Sequence, residues 1–174
     1  MALLAVTVLG RDRPGIVADA TAALAGLGGN LEDSTMTLLR GHFAMLLLVQ
    51  TPAATAQVEQ ALASLGADGS LTVDVRAVPA AASDAPVASG APYVLSVHGA
   101  DRPGIVGSLT GVVAAAGGNV VDLSTRLTEG LYVLLAEVHL GPGTDVDALL
   151  GELREAAEAL GVDVSLRPLD TDDL

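Results

Sequence analysis

The stretch GRDRPGIV occupies residues 10–17, and the nearly identical stretch GADRPGIV occupies residues 99–106, 89 positions further along the chain. When residues 6–49 are placed on residues 95–138 without a gap, 18 of the 44 aligned pairs are identical. The identities are concentrated in DRPGIV and in the GGN that follows it. Loops are usually the most variable part of a fold. The sequence therefore contains one structural unit twice, and the repeated loop is a candidate functional segment.

Length and composition agree with two small domains. The chain has 174 residues, of which 51% are hydrophobic, but it has only two Tyr, one Phe and no Trp, so each core must be aliphatic. We predict a first domain at residues 1–78 and a second domain at residues 93–169. Residues 79–92 are rich in Ala, Ser, Pro and Gly, which is typical of a linker. Residues 170–174 form an acidic tail.

Hydrophobic patterning predicts the order strand, helix, strand, strand, helix, strand in each unit. Residues 2–9 and 93–98 are almost continuously apolar, as expected of central strands. Residues 30–39 and 119–128 mix polar and apolar positions, as expected of edge strands. This order is the ferredoxin-like βαββαβ arrangement, with strand order 4-1-3-2. We therefore predict an α+β fold class, with two ferredoxin-like units that each have an antiparallel sheet and two helices on one face.

Turn signals mark the boundaries of these elements. Pro14 and Pro103 are expected to begin the first helix of each unit, since proline is tolerated in the first turn. Double glycine is expected to end each of these helices. Asn30 and Asn119 follow the double glycines directly, so each has an alternative role as a turn residue in the left-handed conformation.

The charge of the chain excludes several classes of protein. It has 8 basic and 21 acidic residues and a formal net charge of −13, so a phosphate backbone would be repelled and no direct nucleic-acid binding is predicted. It has no Cys, and its three His are not at metal-ligand spacing, so we predict no metal and no cofactor. The uncharged residues 103–121 contain five Gly and one Pro, so no membrane span is predicted. The opening residues lack the basic start of a secretion signal, which favours a cytoplasmic protein.

The repeated loop suits a carboxylate ligand. The first turn of a helix exposes unpaired N–H groups and a partial positive charge. Gly15 and Gly104 remove the side chain that would block the approach of such a group. The alternative interpretation is that DRPG is only a helix start, with Asp12 near the cap position.

The residues disfavour an enzyme. Arg13 and Arg102 could hold an oxyanion, as in an acylphosphatase-like hydrolase, but each follows an aspartate and precedes a proline, which removes an N–H donor from the loop. Strand alternation places Ser96 and His98 side by side with no orienting group, so these two residues and Asp101 do not form a catalytic triad. No catalytic residue is predicted.

A βαββαβ unit with DRPGIV after its first strand, and with GGN leading into NLED or NVVD, resembles the ACT domain, a small amino-acid-sensing module. Two such units and little else resemble the tandem ACT proteins of the glycine cleavage system transcriptional repressor group. The resemblance implies a non-catalytic regulatory protein that binds a small amino acid between a loop and an edge strand. In the first unit the implied ligand-binding residues are Asp12, Arg13, Pro14, Gly15, Ile16, Val17, Asn30 and Asp33. In the second unit they are Asp101, Arg102, Pro103, Gly104, Ile105, Val106, Asn119 and Asp122.

Asp33 and Asp122 have a specific implied role, because an acidic residue near this position in ACT domains typically holds the amino group of the ligand. The alternative interpretation is a solvated charge that protects an edge strand from aggregation. We also expect the units to pair through their second strands, within one chain or between the two chains of a homodimer. The loop at the helix start of one unit would then face Asp33 or Asp122 on the edge strand of the other.

The resemblance implies a protein partner. We expect a transcription regulator of glycine cleavage or one-carbon metabolism, reached through protein contacts. The alternative is that the chain is a dissociable regulatory subunit of an amino-acid biosynthetic enzyme. The residues do not identify the amino acid, since Ser34 and Thr35 in the first unit correspond to Leu123 and Ser124 in the second.

Overall fold

The structure is a computed structural model that describes residues 1–79 and 90–169. The chain divides into two compact units, Met1–Ala85 and Pro86–Leu174. Most of the predicted linker and the whole predicted acidic tail lie outside the described residues, so these boundaries stay predictions.

The first unit contains all six predicted elements and one additional 3₁₀ helix. In chain order they are β1 (Ala2–Arg11), α1 (Ile16–Gly26), β2 (Asn30–Leu39), β3 (His42–Thr51), α2 (Thr55–Leu62), the 3₁₀ helix (Ala63–Gly66) and β4 (Leu71–Ala77). The second unit repeats this order, with β5 (Ala91–Ala100), α3 (Ile105–Ala115), β6 (Asn119–Thr128), β7 (Leu131–Leu140), α4 (Val146–Leu160) and β8 (Val162–Pro168).

Each unit has one four-stranded antiparallel sheet. The strand order is β2-β3-β1-β4 in the first unit and β6-β7-β5-β8 in the second. This is the predicted order 4-1-3-2, so the predicted α+β ferredoxin-like fold is confirmed. The apolar strands β1, β3, β5 and β7 occupy the two central places in their sheets, where both neighbours contribute hydrogen bonds.

One face of each sheet packs against its two helices. In β1 every second residue is buried, namely Leu4, Val6 and Val8, and these side chains pack with Ile16, Ala20 and Leu24 of α1 and with Val58 and Leu62 of α2. The second unit has a separate core of the same kind, centred on Leu95, Val97, Leu109 and Leu153. We call the opposite face of each sheet the open face. Leu9 and Leu46 lie on it in the first unit and are about half exposed.

The hairpins between the second and third strands have two-residue turns. Arg40 and Gly41 have φ angles of 49° and 82°, and Glu129 and Gly130 have φ angles of 52° and 86°. Two consecutive positive φ values are the type I′ geometry, whose twist matches that of the flanking strands. The glycine that recurs at this position in the repeat therefore has a structural explanation.

The double glycines also have a structural role. Gly28 has a φ of 68°, which ends α1 in the left-handed conformation. A Cβ atom on Gly29 would lie 2.8 Å from the carbonyl oxygen of Leu24 and 3.0 Å from Cγ1 of Val49. The second glycine is therefore needed where the chain leaves the helix and passes close to β3. Asn30 and Asn119 are the first residues of β2 and β6, and among the described non-glycine residues only Arg40 and Glu129 have positive φ. The interpretation of the two asparagines as left-handed turn residues is wrong.

No helix within residues 1–79 and 90–169 is long and apolar enough to cross a membrane.

Candidate functional site

The first loop, residues 12–17, connects the end of β1 to the start of α1. The helix begins at Ile16, two residues later than the prolines predicted, and Gly15 is its N-cap residue with a φ of 92°. Gly104 has the same role before α3, with a φ of 93°. L-residues other than glycine rarely adopt this conformation, so the glycine is required by the backbone, and Asp12 is not the cap.

The start of α1 leaves amide donors available. The N–H of Asp19 donates to the carbonyl oxygen of Gly15 at 2.8 Å, and this is the first hydrogen bond of the helix. The N–H groups of Ile16, Val17 and Ala18 precede that bond and have no acceptor within the helix. Among the described residues, no side chain caps either α1 or α3. These N–H groups lie at the N-terminal end of the helix, where the helix dipole favours an anion.

The backbone holds the first loop beside the β2–β3 hairpin. The N–H of Asp12 donates to the carbonyl oxygen of Gly41 at 3.1 Å. Arg11 pairs with His42, and His42 pairs with Leu39 at the end of β2. The loop is therefore level with the last residue of β2.

Asp33 lies far from the loop of its own unit. It is six residues before Leu39, and a strand rises by about 3.3 Å per residue, which separates it from the loop by roughly 20 Å. It also pairs with Leu48, whose neighbours Leu47 and Val49 are buried in the core, so Asp33 is on the open face. The predicted loop and the predicted acidic residue are thus not brought together within one unit. The same register separates Asp122 from the second loop, residues 101–106.

A β-bulge determines to which face of the sheet the side chain of each acidic residue points. The register of β2 shifts between Leu31 and Asp33, which leaves Glu32 as the extra residue, and β6 shifts in the same way between Val120 and Asp122. Because side chains alternate along a strand, Asp33 and Asp122 would point to the helix side without the bulge. The side chain of Asp33 accepts the N–H of Ser34 at 2.8 Å, which stabilises this local conformation.

The surroundings of the two acidic residues differ. Asp122 lies opposite Glu137, and Nε2 of His139 lies 2.9 Å from Oε1 of Glu137. The corresponding partners in the first unit are Leu48 opposite Asp33, and Gln50 opposite Asn30. Each acidic residue therefore has a second carboxylate nearby. Glu32 precedes Asp33 in the bulge, where the second unit has Val121, and Glu137 lies opposite Asp122.

The two loops also differ. In the first loop, Nη1 of Arg13 lies 3.3 Å from Oδ2 of Asp19, which is in the first turn of α1. In the second loop the residue that corresponds to Asp19 is Ser108. The guanidinium group of Arg102 lies 3.6 Å from the position of a Cβ atom on Gly161, at the C-terminal end of α4. A cation at that end of a helix interacts favourably with the helix dipole.

Tyr132 is a residue near the second loop that sequence reasoning missed. Burial raises the pKa of its hydroxyl group, a hydrogen bond with Thr125 acts in the opposite direction, and the negative charge of Asp101 adds to the increase. The position corresponds to Phe43, which is fully apolar. Positions where the two halves differ, such as this one and the pair Asp19 and Ser108, were the available signal in the sequence.

The residues considered for a catalytic triad do not form one. Nε2 of His98 lies 3.6 Å from Oδ2 of Asp163 on β8, and both side chains are more than half exposed. Within the described part of the chain, no group of three or more His, Cys, Asp or Glu side chains could hold a metal ion.

Comparison with known proteins gives a family. The model of the ACT domain matches residues 2–76 and 92–167, which is one match in each unit. The glycine cleavage system transcriptional repressor of Escherichia coli is 28% identical over 138 residues, which cover 79% of this chain and 71% of the repressor. A UPF0237 protein of Methanopyrus kandleri is 43% identical over 81 residues, which cover 44% of this chain and 87% of that protein. The crystal structure of an unknown protein from Galdieria sulphuraria superposes with a TM-score of 0.80 at 31% identity, and the match covers 97% of this chain and 99% of that one.

Proposed function

This chain belongs to the ACT domain family, with one copy of the domain in each unit, and we propose that it is a non-catalytic regulator that binds a small amino acid and controls a transcription regulator by protein contact. The observation that carries the proposal is the repeated loop, in which a left-handed glycine leaves the first N–H groups of a helix open to a carboxylate. A transcription regulator would be met in the cytoplasm, which is the compartment we propose.

The carboxylate of the amino acid would bind the N–H groups at the start of the helix. A carboxylate there gains about 0.3 to 1 kcal/mol from the helix dipole, in addition to its hydrogen bonds. The amide donors are those of Ile16 and Val17 in the first unit and of Ile105 and Val106 in the second. The flanking residues Asp12, Arg13, Asp101 and Arg102 would set the charge around the bound group.

The ammonium group of the amino acid needs an acidic acceptor, and the separation of about 20 Å within a unit means that this acceptor comes from elsewhere. We propose a second copy of the chain as its source, with Asp33 or Asp122 as the acceptor. The second strands support this proposal, because all ten residues of β2 are exposed along a sheet edge whose backbone groups are available for pairing. A homodimer would satisfy these groups.

A protein partner fits the charge of the chain better than DNA does. The relative from Escherichia coli is named as a transcriptional repressor, but a net charge of −13 disfavours contact with phosphates. Repression by this chain would therefore act on a DNA-binding regulator. Co-purification of a biosynthetic enzyme instead of such a regulator would favour the alternative role as a regulatory subunit.

A thermal-shift screen of the twenty amino acids tests ligand binding. An amino acid present at 100 times its dissociation constant is expected to raise the free energy of unfolding by about 2.7 kcal/mol, because it binds only the folded protein. For each amino acid that stabilises the protein, the matched controls are its analogues without the amino group and without the carboxyl group. A zwitterion site predicts a shift with the amino acid alone. If no amino acid raises the melting temperature, or if an analogue does so equally well, the proposed ligand class is wrong.

The purified chain is expected not to bind duplex DNA on its own. A protein gains most of its non-specific affinity for DNA by neutralising phosphates with Lys and Arg, and this chain has 8 basic residues against 21 acidic ones. A gel-shift titration at physiological salt would measure this. A shift at micromolar or lower protein concentration would contradict control by protein contact.

A further inference from the structure

The two loops have the same backbone and different surroundings at the glycine where a carboxylate would approach. The carboxylate oxygens of Asp19 lie 3.6 Å and 3.9 Å from the position of a Cβ atom on Gly15. Apart from Gly104 and its two chain neighbours, no atom of the described residues lies within 4 Å of the same position on Gly104. The space beside Gly104 in the second loop is therefore open, whereas the corresponding space beside Gly15 in the first loop lies next to the carboxylate of Asp19.

Asp19 also forms an ion pair with Arg13, the basic residue of the first loop. Its Oδ2 atom lies 3.3 Å from Nη1 of Arg13, and the same guanidinium group donates to the carbonyl oxygen of Pro14 at 3.4 Å. The carboxylate of Asp19 is thus at the start of α1, where the helix dipole favours a negative charge. It stands where the carboxylate of a ligand would gain the same stabilisation.

We propose that Asp19 closes the first loop to carboxylates, so that the second loop, with Ser108 in place of Asp19, is the loop that binds the amino acid. This inference rests on the proposed function, because it chooses between two loops that the proposed function treats as equal. Two unit charges about 5 Å apart in a water-like dielectric repel by about 0.8 kcal/mol, which weakens binding about fourfold. The loss of Arg13 as a partner for the ligand adds to that factor.

Reciprocal substitutions test the role of Asp19. The probe is sodium acetate at constant ionic strength, followed through the backbone amide resonances of residues 15–17 and 104–106 in the full chain. In the parent protein we expect the amides of the second loop to titrate with an affinity at least fivefold higher than those of the first. Asp19→Asn and Asp19→Ser should bring the first loop to within about twofold of the second, and Ser108→Asp should weaken the second loop about fourfold or more.

A control variant tests whether the effect is specific to Asp19, and a comparison of acetate with the twenty amino acids distinguishes this inference from the proposed function. Glu59→Gln makes the same change of net charge on α2 and should leave both loops unchanged. Equal titration of the two loops in the parent, no gain in the Asp19 variants, or no response of either loop would overturn the inference. If acetate distinguishes the loops as expected while none of the twenty amino acids binds, the proposed function is wrong and the role of Asp19 stands.

Discussion

Gly10→Ala is expected to destabilise the first unit by about 3 kcal/mol or more, since overpacking against fixed backbone is among the costlier substitutions. Gly10 has a φ of 156°, which L-residues rarely adopt, and a Cβ atom there would overlap the carbonyl oxygen of Ser70. That oxygen cannot move away freely, because it accepts the N–H of Arg11 at 3.0 Å. The glycine that opens the repeated stretch is therefore required where β1 passes β4.

The measurement can separate the two units. Both Tyr residues, Tyr93 and Tyr132, are in the second unit, so tyrosine fluorescence follows its unfolding in denaturant, whereas far-UV circular dichroism follows both units. We expect Gly10→Ala to move part of the circular dichroism change to lower denaturant and to leave the fluorescence midpoint in place.

Two further substitutions calibrate this result. Gly26→Ala, at the end of α1 where no described atom lies within 4 Å of a Cβ atom, should be neutral or stabilising by up to about 1 kcal/mol. Gly99→Ala should have an intermediate effect on the second unit, because a Cβ atom there would lie 2.9 Å from Cγ1 and 3.0 Å from Cα of Val162 but would not overlap a carbonyl oxygen. Unfolding curves of Gly10→Ala and Gly26→Ala that coincide would show that the close approach of β1 and β4 has no energetic consequence.

Local pattern was sufficient to predict the topology. The apolar runs at β1 and β5 indicated central strands, and the mixed pattern of β2 indicated an edge. The predicted hairpin between β2 and β3 agrees with the order 4-1-3-2 of the ferredoxin-like arrangement. The starts of α1 and α3 were predicted two residues early. The signal used was the proline, whereas the glycine after it adopts the left-handed conformation and delays the helix.

The direction of the acidic residues could not be predicted from alternation. Counting from Asn30 with a period of two places Asp33 on the helix side, but the bulge at Glu32 moves it to the open face. The pairing of Asp19 with Arg13 was equally hidden, because six residues separate them and a loop of unknown geometry lies between. Topology depends on hydrophobic periodicity, but these site features depend on single backbone irregularities.

The largest expected effect on function is the loss of amino-acid binding when Asp33 and Asp122 are both replaced by Asn. Removing one partner of a desolvated charge pair typically costs about 2 to 5 kcal/mol, which corresponds to a loss of about 30-fold or more in affinity. The reason is that the ammonium group of the bound amino acid would be left without its acceptor. Each single variant identifies which acid serves the second loop, because only the one that contacts the ligand should weaken binding.

Calorimetric titration of the double variant with an amino acid identified by the thermal-shift screen gives this affinity, after circular dichroism has verified the fold. Glu32→Gln and Glu129→Gln together make the same change of net charge on or beside the same strands, and this control should bind within about twofold of the parent. The bulges turn Asp33 and Asp122 to the open face in both units, so a role in ligand binding requires a partner on that face or at that edge. If the double Asp variant also binds within about twofold of the parent, the two aspartates are solvated edge charges that protect β2 and β6 from aggregation, and the ammonium group is held by other residues.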